Sequence, residues 1–177
     1  MELQRPREAA ALALSLLDLT NLKEDCTPEQ IAALCQKAHT PYGTTAAICI
    51  WPRFVAQARA AFGKDTSVRI ATVVNFPSGD LDVATVVAET ERAITDGADE
   101  IDLVIPYRKF IAGDENAVSE MVAAVRKVAA MPALRAAYEA VGNEATASES
   151  PQAFAAFMRS ETRKWADIVK LAGATGS

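Results

Sequence analysis

The sequence predicts an α/β fold: four βα units on a parallel sheet, followed by an all-helical tail. Three observations predict it. Four short apolar runs alternate with four helical patterns through about residue 130. The runs are close to continuously apolar, as strands covered on both faces should be, and the helical patterns between them are long enough for βαβ crossovers. From Pro132 onward the rhythm stops, and no fifth run of β-branched residues bounded by turns occurs. The predicted division is therefore 1–130 as the α/β domain and 131–177 as a tail of two helices.

The first run is Leu16 to Leu19. It leads to Thr27-Pro28-Glu29-Gln30, in which Thr27 suits the N-cap, Pro28 the first helical position and Gln30 the reciprocal position of a capping box. A helix through Ala38 follows. The second run, TTAAICIW, passes through Pro52 into FVAQARAAFG, which Gly63 should terminate. The third, VRIATVVNF, turns at PSGD into a long helix ending near Asp96-Gly97. The fourth, DEIDLVIPY, is followed by GDEN and a helix through about Ala130. In the tail, ALRAAYEAVG and the polar stretch NEATASES precede Ser150-Pro151, a cap and first position. Phe154, Phe157, Met158, Glu161, Trp165, Ile168, Val169 and Ala172 then fall mostly on one helical face.

Composition narrows the function classes. The chain has 177 residues, is 50% hydrophobic and carries a net charge of -5 with acids and bases interspersed, so it offers no basic stripe for nucleic acid. No stretch approaches the roughly 18 apolar residues of a membrane span, and the amino-terminal patch lacks the order of a signal peptide. Cys26, Cys35 and Cys49 are too scattered for a metal knuckle or redox pair. The expectation is a reduced, cytoplasmic protein without a cofactor or metal; with His39 as its only histidine, triads and multi-histidine metal sites are excluded.

Asp102 is the first candidate for chemistry. An aspartate inside the run IDLVIP costs several kcal/mol to bury unpaired, so it faces a polar cavity, has a partner, or lies at a strand edge in solvent. Asp18 in LLDLTNL poses the same question, and two inward acids suit a cationic amine. Cys49 reads first as a small buried hydrophobe, with no histidine or helix start nearby to make it a thiolate. Asn75 and Ser78 read equally as turn formers or pocket groups. Tyr42, Trp51 and Tyr107, near strand ends, read as packing residues.

LLDLTNL, TPYGTTAAICIWPRF, RIATVVNFPSGD and AETERAITDGADEIDLVIPYR, spanning about residues 8–128, resemble the amino-terminal half of the deoxyribose-phosphate aldolase family. These are class I aldolases on a TIM barrel. The resemblance implies half of such a barrel, and reversible cleavage of 2-deoxyribose 5-phosphate to glyceraldehyde 3-phosphate and acetaldehyde through a lysine imine, with no metal. It assigns Asp102 the acid-base role, Asp18 the role of pairing with the lysine network, and Thr20 and Cys49 the substrate cavity; Thr44 stands where the family usually has asparagine.

The family's imine-forming lysine lies in a sixth-strand motif like FIKTSTGK, its second lysine on the seventh strand and its phosphate loops after the seventh and eighth. None of these motifs occurs in the 177 residues, whereas a whole barrel takes about 250. Residues from about 130 onward resemble instead the carboxy-terminal tail of Bug-type solute-binding proteins of tricarboxylate transporters. The expectation is thus a chimeric aldolase homologue with weak or no activity on a small phosphorylated sugar or aldehyde, prone to homo-oligomers or aggregation. The alternatives are an active enzyme using Lys170, or a non-catalytic interaction protein whose tail helix covers the open edge. Lys170, in ADIVKLAGATGS, reads as the last turn of a surface helix, where a cation beside the carbonyl end is mildly favourable.

Overall fold

The computed structural model describes residues 10–63 and 66–132, with isolated helical positions at 156, 159, 160 and 166. The chain divides into two compact units, Leu14–Ala145 and Met1–Ala13 with Thr146–Ser177. The expected tail helices, the Lys170 helix end and the ground past residue 132 lie outside the described residues, apart from those isolated positions.

Within the first unit, the described strands are β1 (Asp18–Asn21), β2 (His39–Thr40), β3 (Gly43–Thr44), β4 (Ala47–Ile50), β5 (Arg69–Val74) and β6 (Glu100–Leu103). The helices are α1 (Pro28–Lys37), α2 (Val55–Phe62), α3 (Val83–Thr95), α4 (Tyr107–Ile111) and α5 (Glu115–Ala129), with a single 3-10 turn at Pro52–Phe54. β1, β4, β5 and β6 form one parallel sheet in that order. This is the predicted α/β sheet, each strand joined to the next through helix. The first strand begins two residues later than the apolar run suggested, because pairing starts where Asp18 meets Ala47.

Local chemistry sets the helix ends. The Thr27 hydroxyl accepts from the Gln30 N–H while the Gln30 side chain accepts from the Thr27 N–H, closing the capping box that starts α1. Asp82 and Asp114 cap α3 and α5 with their carboxylates alone, accepting from the Thr85 and Ala117 N–H groups. Gly63, at φ 73°, ends α2.

Period-2 alternation divides the sheet into two faces. Ile48, Ile50, Ile70, Thr72 and Val74 point outward, where the helices bury them. One core, around Ile31, Ile48, Ile50, Val55, Val68 and Ile70, lies under α1 and α2; a second joins Val74 to Val86 of α3 and Met121 of α5. Thr72 is fully buried there because its hydroxyl donates to the Ile50 carbonyl at 2.7 Å.

Two elements escaped the sequence reading. The β2–β3 ladder has only two residue pairs, too short for a periodicity, and the Thr40 hydroxyl ties its turn by donating to the Gly43 carbonyl and accepting from the Tyr42 N–H. Tyr42, expected to pack, is 83% exposed at that tip. Helix α4 is a five-residue turn after Pro106, and Phe110 and Ile111 on it are exposed.

Candidate active site

The inner face of the sheet carries the candidate residues, in rows set by strand register. Asp18 of β1 stands opposite Ala47 of β4, which stands opposite Arg69 of β5. In the next row lie Thr20, Cys49, Ala71 and Glu100. Above it, Val73 is opposite Asp102. All four predicted residues, Asp18, Thr20, Cys49 and Asp102, therefore share one face of one sheet.

The centre of that face is covered. Ala47, Cys49, Ala71 and Val73 are each no more than 7% exposed and form an apolar cluster with Leu22, Trp51 and Phe76 packed against it. Trp51 and Phe76 meet edge-on with centroids 5.2 Å apart, and the Trp51 indole N–H donates to the Lys23 carbonyl. The apolar residues of the two central strands are thus covered on this face. The polar groups lie on the flanking strands, where Asp18, Thr20, Glu100 and Asp102 remain partly open to solvent.

Cys49 links the acids. Its Sγ lies 3.8 Å from Oδ2 of Asp102, to which the thiol donates. Burial first, then the negative charges of Asp102 and Asp18, push its pKa up to about 11, so it stays a protonated thiol at neutral pH and is no nucleophile. Burial, then repulsion from Asp102, raises the Asp18 carboxyl, and the Ala47 backbone partly offsets this. Glu100, two residues before Asp102 and so on the same face, is also raised, chiefly by burial, with Arg69 opposing. Arg69 Nε is 3.6 Å from Glu100 Oε1. The sequence reading missed Glu100 and Arg69; the period-2 spacing from Asp102 and Ala71 was the signal that pointed to them.

The arrangement holds Asp102 at the end of the face nearest the carboxyl ends of the strands, over a thiol that keeps its proton, with a second carboxyl across the sheet. Such a pair can accept and return a proton while favouring a cation between them. Among the described residues, no three His, Cys, Asp or Glu side chains converge in a way that would hold a metal ion, and no helix is long and apolar enough to cross a membrane.

Both ends of β6, which carries Asp102, are pinned by side chains that the sequence did not single out for that purpose. At its start, Asp99 is 9% exposed and its Oδ2 accepts from Arg59 Nη2 at 2.6 Å and from the Ile70 N–H at 2.8 Å. At its finish, Asn75 donates through Nδ2 to the Val104 carbonyl at 2.7 Å.

Comparison with known proteins gives the family. The chain is 84% identical over 134 residues to a deoxyribose-phosphate aldolase from Agrobacterium fabrum, a match covering 76% of this chain and 52% of that protein. Among solved structures, a protein assigned as deoxyribose-phosphate aldolase from Coccidioides immitis is similar at 30% identity and a TM-score of 0.62, covering 67% of this chain and 46% of its own. One from Toxoplasma gondii ME49 is similar at 26% identity and a TM-score of 0.63, over 73% and 49%. The chain thus spans about half the length of these relatives. The family model for DeoC/LacD family aldolases matches residues 12–175, a span that includes the segment compared above with the Bug-type tail. With its parallel sheet, its inner-face aspartates and this match across nearly its whole length, the chain belongs to the DeoC/LacD family of aldolases.

Proposed function

We propose that this chain carries the acid-base side of a deoxyribose-phosphate aldolase site, for reversible cleavage of 2-deoxyribose 5-phosphate to glyceraldehyde 3-phosphate and acetaldehyde. The supporting observation is the convergence of Asp102 and Asp18 about Cys49 on one face of the sheet, in a chain 84% identical over 134 residues to an aldolase of that name. Asp102 is the acid-base group, relaying protons through water while an imine nitrogen acts as the electron sink. Asp18 faces the cationic amine, and Thr20 and Cys49 line the substrate cavity.

The amine is the part these residues do not supply. No motif like FIKTSTGK occurs in the 177 residues, and by themselves they should turn over deoxyribose 5-phosphate weakly or not at all. Strands β1 and β6 each have one neighbour among the described strands, which favours self-association through the unpaired edges. A monodisperse, cooperatively folded monomer would count against that part of the proposal.

The site assignment is tested by grafting residues 14–130 into the Agrobacterium relative in place of its matching segment. The graft should cleave deoxyribose 5-phosphate, and Asp102→Asn within it should lose roughly two to four orders of magnitude in kcat. Retained activity in that variant would remove Asp102 from the chemistry. Treating the 177-residue chain itself with acetaldehyde and borohydride should leave no adduct; one on Lys170, with activity lost in Lys170→Leu, would replace this reading with an active enzyme.

A further inference from the structure

We infer that Asn75 is a positioning residue for Asp102, holding the carboxyl end of β6 so that the aspartate stays against Cys49. The inference rests on the reading of Asp102 as the acid-base group, and no assigned role covers Asn75. Its backbone has φ 58°, in the left-handed region, and the residue is 1% exposed at the end of β5. Asparagine is one of the few side chains that tolerate this conformation, and β5 ends at the residue before it. The Asn75 N–H donates to Oε2 of Glu89 on α3, at 3.0 Å.

The side chain replaces what the backbone gives up. Its Nδ2 donates to the Val104 carbonyl at 2.7 Å, one rung beyond the Val104 N–H bond to the Val74 carbonyl at 3.1 Å. Its Oδ1 accepts from the Leu81 N–H at 2.9 Å, and its carbonyl accepts from the Gly79 N–H at 2.8 Å, so the loop closes on the same residue. Val104 is therefore gripped at both its N–H and its carbonyl, two residues after Asp102. Because β6 is a four-residue strand with β5 as its one neighbour among the described strands, this grip bears directly on the register of that end. A leucine or an alanine at 75 would lose both side-chain bonds and would be strained at this positive φ.

Cys49 reports whether Asp102 is in place, without any need for turnover. In the full chain, iodoacetamide labelling of Cys49 is followed against pH by peptide mass spectrometry, which distinguishes it from Cys26 and Cys35. Asp102→Asn sets the scale, since removing the charge near Sγ lowers the labelling midpoint. Asn75→Gly accepts the positive φ and adds no charge, and it should lower the midpoint by roughly half as much. Glu89→Ala disturbs the same node from the helix side and should lower stability while leaving the midpoint in place. An unmoved midpoint in a folded Asn75→Gly, an equal fall in Glu89→Ala, or no fall in Asp102→Asn overturns the inference. If Asn75→Gly does not fold, Asn75→Asp keeps the acceptor for Leu81 and loses the donor to Val104. Its added charge alone would raise the midpoint, so a fall supports the inference and anything else rejects it. Failure of the aldolase reading leaves these outcomes unaffected, because none depends on substrate.

Discussion

Asp99→Ala is the perturbation whose cost the structure specifies most fully. The substitution removes two bonds to one oxygen, from Arg59 Nη2 at 2.6 Å and from the Ile70 N–H at 2.8 Å. The first is charge-assisted and, with the two side chains only 20% and 10% exposed, is worth about 1.5–3 kcal/mol. The second loss orphans an N–H on a fully buried residue, which costs about 1–3 kcal/mol. Arg59 is not stranded, because Nε and Nη2 still donate to the Gly97 carbonyl and Nη1 to that of Gly63. The full penalty of about 3–5 kcal/mol for an uncompensated buried ion therefore does not apply. We expect a loss of about 3 kcal/mol for Asp99→Ala, and about 1–2 kcal/mol for Asp99→Asn, which keeps an acceptor for Ile70 but no charge for Arg59. Urea unfolding followed by far-UV circular dichroism measures both, as a shift in midpoint at constant slope. A cost below about 1 kcal/mol for alanine, or equal costs for the two variants, would refute the reasoning.

Three further outcomes follow from particular contacts. Asp18 has a folded pKa above its ordinary 3.8, owing to burial and then Asp102, so the folded state binds this proton more tightly than the unfolded chain. Stability contributed by that proton is present at low pH and is lost as pH rises from 3.8 through the raised folded value. Asp18→Asn should flatten this fall and be at least as stable as the parent at neutral pH; urea midpoints across the acid range decide it, and an unchanged slope would count against the coupling. Thr27→Ala should cost about 1 kcal/mol by opening the capping box of α1, and a neutral result in the same melt would show that the box is not holding the helix. Gly79→Ala places a Cβ 2.5 Å from the Ile105 carbonyl oxygen at φ 70°, so a loss of more than about 1 kcal/mol is expected; no loss would mean that the loop moves away freely.

The legible parts of this protein are those written in short-range patterns. Four apolar runs and the helices between them could be read because a parallel strand covered on both faces must be apolar along its length. The α1 and α2 boundaries followed from Thr27, Pro28, Gln30 and Gly63, each of which acts within one turn of its own position. Asp18 and Asp102 were conspicuous because a carboxylate in an apolar run demands a reason. Long motifs along residues 8–128 carried the family, which the match over residues 12–175 then established.

The illegible parts depend on residues far apart in sequence. Period-2 spacing puts Glu100 and Arg69 on the faces of Asp102 and Ala71, but that the two meet at 3.6 Å required β5 and β6 in register. Asn75 looked like a turn former, and it is one; that its amide also completes the β5–β6 ladder at Val104, 29 residues away, required the sheet. The partly buried Asp99–Arg59 pair spans 40 residues and left no local trace. Residue order by itself determined the fold class, the strand and helix sequence and the two aspartates, because patterning and capping act over a few residues. Tertiary structure alone decided which face those aspartates share, that small central residues under Trp51 and Phe76 are covered, and what clamps β6, because each depends on strand register and on atoms that meet only when distant segments pack.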